Sequence, residues 1–349
     1  MDWFLLVLSL AVILAGAELF TNGIEWIGET FGLSEGAVGS VLAAVGTALP
    51  ETILPLVAIL SGHVGGEEIG TGAILGAPFM LSTLAMFIIA VTVLITGRGG
   101  RRALELEIDK GVIRQDLGYF LVMYALALIA GLLHVKAVDY VLAGALIVGY
   151  GFYVRRHFAS PGEEDEEQEA GGEVKPLYLW RWLALVRKDQ GPWTKDTSAV
   201  LPFVQVVIAL GFIVGGAELF IDGMTLIADT FGVSPMAFAL LVAPFATELP
   251  EKFNSVLWVR RRKDTLAMGN ITGAMVFQSS FPVTIGLLLT PWELSGTGLI
   301  AACTALAAGG VMWITLRVRG RLSARLLLFQ GVFYVGYVGY VLTQIKAKG

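Results

Sequence analysis

A segment of 36 residues occurs twice in this chain, 200 positions apart and without a gap. Residues 16–51 align with residues 216–251, and 17 of the 36 aligned pairs are identical. Both copies open with Gly-Ala-Glu-Leu-Phe and close with Leu-Pro-Glu. Shared composition would not give so many identities in one register, so the pattern indicates an internal duplication. A chain of this kind is expected to fold as two related halves.

Long apolar stretches, separated by charged connections, account for most of the sequence. Hydrophobic residues make up 56% of the chain and charged residues only 15%, whereas soluble domains carry a charge at about a quarter of their positions. A membrane-spanning helix needs roughly 20 apolar residues. Hydropathy predicts ten such helices, near residues 3–27, 34–61, 68–96, 114–133, 136–155, 199–227, 233–259, 265–290, 296–316 and 323–345. The chain is therefore predicted to be an all-α polytopic membrane protein of about ten transmembrane helices.

The number of predicted helices between the two copies determines how the copies are oriented. Five helices separate equivalent positions, and because five is odd the copies enter the membrane from opposite sides. Inverted-topology repeats of this kind are typical of secondary transporters, whose substrate site lies near the midplane where broken helices of both halves meet. We predict a first five-helix repeat at 1–156, a linker at 157–198 and a second five-helix repeat at 199–349.

The basic residues are distributed unevenly between the predicted loops. With the N-terminus outside, 20 of the 24 Lys and Arg residues fall on the inner side. This positive-inside bias predicts a plasma-membrane protein whose termini lie outside and whose central loop is cytoplasmic. The acidic run at 163–169 is interpreted as a solvated linker, with a cation sensor as the alternative, and 177–188 as an amphipathic helix on the inner membrane surface. The charge pattern predicts no nucleic-acid partner.

Each copy ends in a Thr-x-Leu-Pro-Glu motif inside an apolar stretch, from Thr47 to Glu51 and from Thr247 to Glu251. Because proline has no N–H, the carbonyl four residues earlier loses its helical partner. These two carbonyls belong to Gly46 and Ala246. Threonine and glutamate four residues apart share one helical face, so each motif offers hydroxyl, carboxylate and carbonyl oxygens, which hard cations such as Ca²⁺ and Na⁺ prefer. Carboxylates at membrane depth are costly and indicate function.

These motifs resemble the α-repeat signature of the cation/calcium exchanger superfamily, which includes the sodium/calcium exchangers. The segment 46–51, Gly-Thr-Ala-Leu-Pro-Glu, is similar to the usual Gly-Thr-Ser-Leu-Pro-Glu, and 269–273 resembles the second family motif, Gly-Asn-x-x-Gly-Ser-Asn. The resemblance implies a ten-helix antiporter without a cofactor. It also implies that the Thr and Glu side chains of the two motifs coordinate Ca²⁺ and Na⁺. In the second motif, Asn270 and Gln278 stand at positions that complete the sodium sites of the family.

The sequence also departs from the family pattern at several polar positions. Ala48 and Glu248 replace the serine of the first motif. The polar residues expected in the second motif are replaced at Ala73, Ala77, Leu81 and Ala274. Glu248 adds a third carboxylate one turn from Glu251, and close carboxylates rarely all ionise together. Either one of them carries a proton, or Lys252 neutralises the extra charge.

The leading hypothesis is a secondary active antiporter that exchanges Ca²⁺, or a similar cation, for Na⁺ around a midplane site formed by the two motifs. One alternative is a cation/proton antiporter that uses Glu51, Glu248 and Glu251. Another is a membrane scaffold or sensor that no longer transports. The expected partners are inorganic cations (Ca²⁺ with Na⁺ or H⁺) and the lipid bilayer. An enzyme is not expected, because no metal cluster or nucleophile–base pair occurs in the predicted helices.

Overall fold

The computed structural model describes residues 2–30, 43–100, 102–158, 175–187, 200–294 and 296–346. These residues are almost entirely helical, as predicted. The helices are α1 (Asp2–Thr30), α2 (Ala43–Leu60), α3 (Gly66–Met80), α4 (Met86–Thr96), α5 (Lys110–Leu133), α6 (Lys136–Phe158), α7 (Tyr178–Arg187), α8 (Leu201–Phe231), α9 (Pro235–Thr247), α10 (Leu249–Arg260), α11 (Asp264–Gln278), α12 (Phe281–Leu289), α13 (Gly296–Arg319) and α14 (Ala324–Lys346). A π-helical turn, Leu81–Ala85, joins α3 to α4.

Among the described residues, eight helical segments are long and apolar enough to cross a membrane, and they match eight of the ten predicted helices. They are Trp3–Gly28, Gly66–Thr96, Lys110–Leu133, Lys136–His157, Leu201–Ala228, Asp264–Leu289, Gly296–Arg319 and Ala324–Gln344. The second and seventh predicted helices, which carry the two Thr-x-Leu-Pro-Glu motifs, correspond to α2 and to α9 followed by α10. The start of the second predicted helix and the acidic run at 163–169 lie outside the described residues.

The two halves meet along α1 and α8, which make the most extensive helix–helix contact among the described elements. A Cβ atom on Gly16 would lie 2.8 Å from Cγ1 of Ile213, and one on Gly216 would lie 2.8 Å from Cγ1 of Ile13. Ile13 and Ile213 are themselves separated by the 200-residue repeat distance. Small residues let membrane helices approach closely. The same glycine–isoleucine contact is therefore made twice, as a two-fold relation between the halves requires.

Other helix pairs follow the same two-fold relation. The last helix of each half packs on the third transmembrane helix of the other half, so that α14 lies against α4 and α6 lies against α12. The pairs α11–α5 and α3–α13 are related in the same way, and α5 packs against α13 near the centre. The core therefore forms between the halves as well as within them, so neither half buries its apolar helices alone.

A further close contact joins the two halves. The first part of α3 packs tightly on α9, where a Cβ on Gly72 would lie 2.4 Å from the Met236 carbonyl oxygen and one on Gly76 would lie 2.2 Å from that of Leu240. The carbonyl of Leu240 has no helical donor, because residue 244 is proline. The corresponding glycines of α11 are Gly269 and Gly273. The first-half positions that they would face, 36 and 40, lie outside the described residues.

Helix α7, at the end of the linker, is fixed to the ends of α1 and α8 by buried amides. The Tyr178 N–H donates to Oδ1 of Asn22 at 3.1 Å, and the Leu179 N–H donates to Oε1 of Gln205 at 2.7 Å. The Gln205 amide also donates to Asn22 at 3.0 Å. Side chains of two other helices thus satisfy the free N–H groups at the start of α7. A helix is thus present within the predicted segment 177–188, and its place on the inner membrane surface stays a prediction. The tight α3–α9 contact lies at the opposite face of the protein.

Candidate cation site

The second Thr-x-Leu-Pro-Glu motif lies at a break between two helices. Helix α9 ends at Thr247 and α10 begins at Leu249, and Glu248 between them has φ −91° and ψ 10°. Pro250 stands in the first turn of α10, where a missing N–H breaks no helical hydrogen bond. The broken helix predicted for the second half is therefore present, with Glu248 at the break.

The first motif differs, because the described part of α2 is a continuous helix that contains both Pro50 and Pro55. The broken helix expected in the first half is therefore not found there. A single proline removes one hydrogen bond and bends a helix, and neighbouring turns can hold it together. In the second half, Pro244 precedes Pro250 by six residues, whereas the position equivalent to Pro244 is Ala44. The interruption in the second half is confined to Glu248, because the Glu248 N–H still donates to the Pro244 carbonyl and the Lys252 N–H to the Glu248 carbonyl, both at 3.2 Å.

The predicted site residues of the two motifs are described to different extents. Glu51 is buried in α2 and Glu248 is buried at the break, with exposed fractions of 6% and 1%. The hydroxyl of Thr247 is buried and donates to the Ala243 carbonyl of its own helix at 3.2 Å. For four further predicted positions the structure describes the helical backbone but not the side chain. These are Gly46, Thr47, Ala246 and Glu251. That Glu51 and Glu251 meet across the two-fold axis stays a prediction.

Glu248 forms a buried ion pair with Lys252. The ammonium Nζ donates to Oε2 of Glu248 at 3.0 Å and to the Pro244 carbonyl at 3.2 Å, and it lies 3.1 Å from Sδ of Met80. The two residues are four positions apart and share one face of the chain, which is why the lysine reaches Glu248. Lys252 is only 4% exposed. Of the two ways in which the sequence allowed the third carboxylate to be accommodated, the structure shows neutralisation by lysine.

The two predicted ligands of the second motif lie in α11 and behave differently. Nδ2 of Asn270 donates to the Ser255 hydroxyl at 3.1 Å, and that hydroxyl donates to the Ala267 carbonyl at 3.2 Å, so Asn270 ties α11 to α10. Gln278 is the last residue of α11 and is 3% exposed. Its Oε1 atom accepts no hydrogen bond from any described residue. A buried amide oxygen without a donor is costly, which makes Gln278 the better candidate for an ion ligand.

A further buried carboxylate, Asp116 in α5, was not predicted as a site residue. It is 1% exposed and accepts hydrogen bonds from the hydroxyl of Thr272 at 2.6 Å and from that of Tyr153 at 3.1 Å. These contacts join α5 to α11 and α6. An acidic residue two positions inside the predicted helix 114–133 is the signal that would have identified it.

Apolar helices arranged in two inverted halves, with buried carboxylates at a helix break, define a secondary transporter of the inverted-repeat class. This chain belongs to the sodium/calcium exchanger family. The family model described as "Sodium/calcium exchanger protein" matches residues 1–158 and 201–346, which together are nearly the whole chain. The protein is thus an all-α polytopic membrane protein with about ten transmembrane helices in two inverted five-helix repeats, and its family consists of cation exchangers.

Individual relatives are distant but cover most of the chain. The putative antiporter CaxA of Alkalimonas amylolytica is 23% identical over 345 residues, which are 94% of this chain and 95% of that protein. The inner membrane protein YrbG of Escherichia coli (strain K12) is 22% identical over 294 residues, 83% of this chain and 80% of its own.

Two solved structures share the fold. The crystal structure of the H⁺/Ca²⁺ exchanger CAX covers 99% of this chain and 87% of that chain, with a TM-score of 0.70 and 18% identity. A structure of the sodium-calcium exchanger NCX_Mj covers 97% of this chain and 98% of that chain, with a TM-score of 0.51 and 18% identity. At these identities the likeness concerns the fold and leaves the transported ions to be argued from the residues.

Proposed function

We propose that this protein is a secondary active antiporter that exchanges Ca²⁺, or a similar divalent cation, for Na⁺ by alternating access around a midplane site formed by the two Thr-x-Leu-Pro-Glu motifs. The observation that carries the proposal is the burial of Glu51 and Glu248, which belong to the two equivalent motifs of an exchanger. Buried carboxylates in a membrane protein are retained where they bind or conduct a cation.

The charges of the motifs match one divalent cation. The Lys252 ammonium cancels the charge of Glu248, which leaves Glu51 and Glu251 as the two remaining carboxylates of the motifs. Two carboxylates neutralise one divalent ion, and the remaining ligands are hydroxyl, amide and carbonyl oxygens that suit Ca²⁺. Gln278, whose buried amide oxygen has no donor among the described residues, adds one such ligand.

The packing of the halves supports alternating access. Helices α3 and α9, from different halves, are in close contact at the face opposite α7. In an inverted repeat, such a contact can open while the equivalent contact of the other half closes. The site then becomes accessible from the opposite side of the membrane. We expect the α7 face to be cytoplasmic, as the distribution of basic residues predicts.

A second candidate is a cation/proton antiporter that uses Glu51, Glu248 and Glu251. The specific observation in its favour is that apolar residues occupy three usually polar positions in α3 and in the π-helical turn that follows it. Ala73, Ala77 and Leu81 stand where the family usually has polar residues, and all three are buried. They supply no oxygen to a sodium ion, so the number of sodium positions is reduced.

Transport in liposomes distinguishes these functions. The purified protein would be reconstituted, and ⁴⁵Ca²⁺ uptake would be measured with an outward Na⁺ gradient alone and with a pH gradient alone. Uptake with Na⁺ supports the proposal, and uptake only with the pH gradient supports the second candidate. No uptake of any tested cation under either gradient would leave the scaffold or sensor hypothesis.

The variant Glu51→Gln should lower the initial rate of ⁴⁵Ca²⁺ uptake at least about tenfold, because losing about 1.4 kcal/mol of binding free energy already has that effect. Glu68→Gln, at an exposed position of α3, is the matched control and should transport like the wild type. A Glu51→Gln protein with the wild-type rate would contradict the assigned site.

A further inference from the structure

The environment of the Lys252 ammonium is that of a bound cation. It has a carboxylate oxygen at 3.0 Å, a backbone carbonyl oxygen at 3.2 Å and a thioether sulfur at 3.1 Å, all from buried groups. These groups come from three places, which are the helix break, the end of α9 and the end of α3 in the other half. The charged nitrogen therefore sits where the two halves meet, next to the motif that carries Glu251.

The first half has no such charge. The positions equivalent to Glu248 and Lys252 are Ala48 and Thr52. The pair therefore occurs in one motif only, and it carries one negative and one positive charge, so it does not change the net charge of the site.

Stability alone gives a weak reason for this pair. Removing two charges from water costs about as much as their attraction returns, and well-packed apolar residues of similar volume often do equally well. In the first half the equivalent positions are occupied by small residues without charge. A buried ion pair confined to one motif is better explained by what its positive charge does in the site.

We propose that the Lys252 ammonium is a built-in cation that fills one monovalent-cation position of the transport site, so that this position requires no Na⁺ from solution. This inference rests on the proposed function for the location of the site. Lys252 then determines how many ions are exchanged. Its ammonium always neutralises the carboxylate of Glu248, and only the remaining positions of the transport site exchange ions. Met80 and the Pro244 carbonyl hold the ammonium in place across the halves.

Removing the lysine charge while keeping Glu248 should create a position for Na⁺. In Lys252→Met the carboxylate and the Pro244 carbonyl remain, but the ammonium is gone. The melting temperature of the detergent-purified protein would be compared in NaCl and in choline chloride at equal ionic strength, without Ca²⁺. A ligand that binds only the folded protein raises its melting temperature. The variant should therefore show a rise with NaCl that saturates and exceeds any rise in the wild type by a few degrees.

The matched control is the double variant Glu248→Ala/Lys252→Thr, which has the residues of the first half. It removes both charges and should respond to NaCl no more than the wild type. A gain of equal size in the double variant, or no gain in Lys252→Met, would overturn the inference.

If Lys252→Met is too unstable to purify in choline chloride, the yield of monodisperse protein gives the readout. Recovery in NaCl with loss in choline chloride supports the inference, and equal loss in both salts overturns it. These measurements need neither Ca²⁺ nor a gradient. A failure of ⁴⁵Ca²⁺ transport is therefore separable from a failure of the Na⁺ effect.

Discussion

At the scale of single residues, two kinds of buried polar group bear on function among the described residues. Asp116 has two hydroxyl donors and Asn22 is bonded to Gln205 and α7, so these groups join helices to one another. Gln278 has a buried oxygen that accepts no hydrogen bond from the described residues. Glu51 and Glu248 lie in the duplicated motifs. The first kind should control stability and the second kind ion binding.

Thr272→Val tests the first kind. It removes the hydroxyl that donates to Asp116 at 2.6 Å, and weakening the hydrogen bonding of a buried charged group costs about 1–3 kcal/mol. We expect a lower melting temperature and an unchanged ratio of Na⁺-driven to pH-driven ⁴⁵Ca²⁺ uptake. Thr343→Val, at an exposed position of α14, should change the unfolding free energy by less than about 0.5 kcal/mol. A change of driving ion in Thr272→Val would instead place Asp116 in the transport site.

Much of this residue-level arrangement follows from the sequence, and some does not. The prolines and glutamates of the motifs are visible because the duplication marks them. The partners of Asp116 are 37 and 156 positions away in the chain. No local pattern links such residues, because their contact depends on how the helices pack. The pairing of Lys252 with Glu248 was open in the sequence for a similar reason, since the lysine is also next to Glu251.

At the scale of helices, hydropathy predicts the long spans well because each is a continuous apolar run with charged ends. The helices that carry the motifs are harder to predict. A proline shows that a hydrogen bond is lost, but it does not show whether the helix continues, as α2 does, or is interrupted, as between α9 and α10. The close contact of α3 with α9 could not be predicted from its glycines alone, because glycines also occur at the equivalent positions of α11.

Gly76→Ala should disturb that contact. A Cβ at this position would lie 2.2 Å from the Leu240 carbonyl oxygen, and forced overpacking of a core costs about 1–3 kcal/mol. We expect a lower melting temperature and faster modification of a cysteine placed by Met236→Cys at the same contact, in a background with Cys303→Ala. Gly269→Ala is the matched control, because no described atom of a neighbouring group lies within 4 Å of its Cβ. Equal effects of the two substitutions would contradict a tight α3–α9 contact at Gly76.

At the scale of the whole molecule, the two halves share their core, and the proposed site would lie between them. An ion that binds both halves should therefore stabilise the complete protein. At a concentration of 100 times its dissociation constant, a ligand of the folded state adds about 2.7 kcal/mol of stability. CaCl₂ should thus raise the melting temperature of the wild type by several degrees. Glu51→Gln should lose most of this rise, and a full rise in that variant would show that Ca²⁺ stabilises the protein elsewhere.

The reciprocal packing of Gly16 on Ile213 and of Gly216 on Ile13 has a consequence for the history of the chain. Because the same residues meet twice, one half could have bound a second copy of itself inserted in the opposite direction, as the subunits of a symmetric dimer do. In such a dimer every substitution appears on both sides. Only after the gene was duplicated could a charge pair such as Glu248 and Lys252 arise in one copy alone. Duplication therefore allowed the two equivalent positions of an ancestral symmetric transporter to become different.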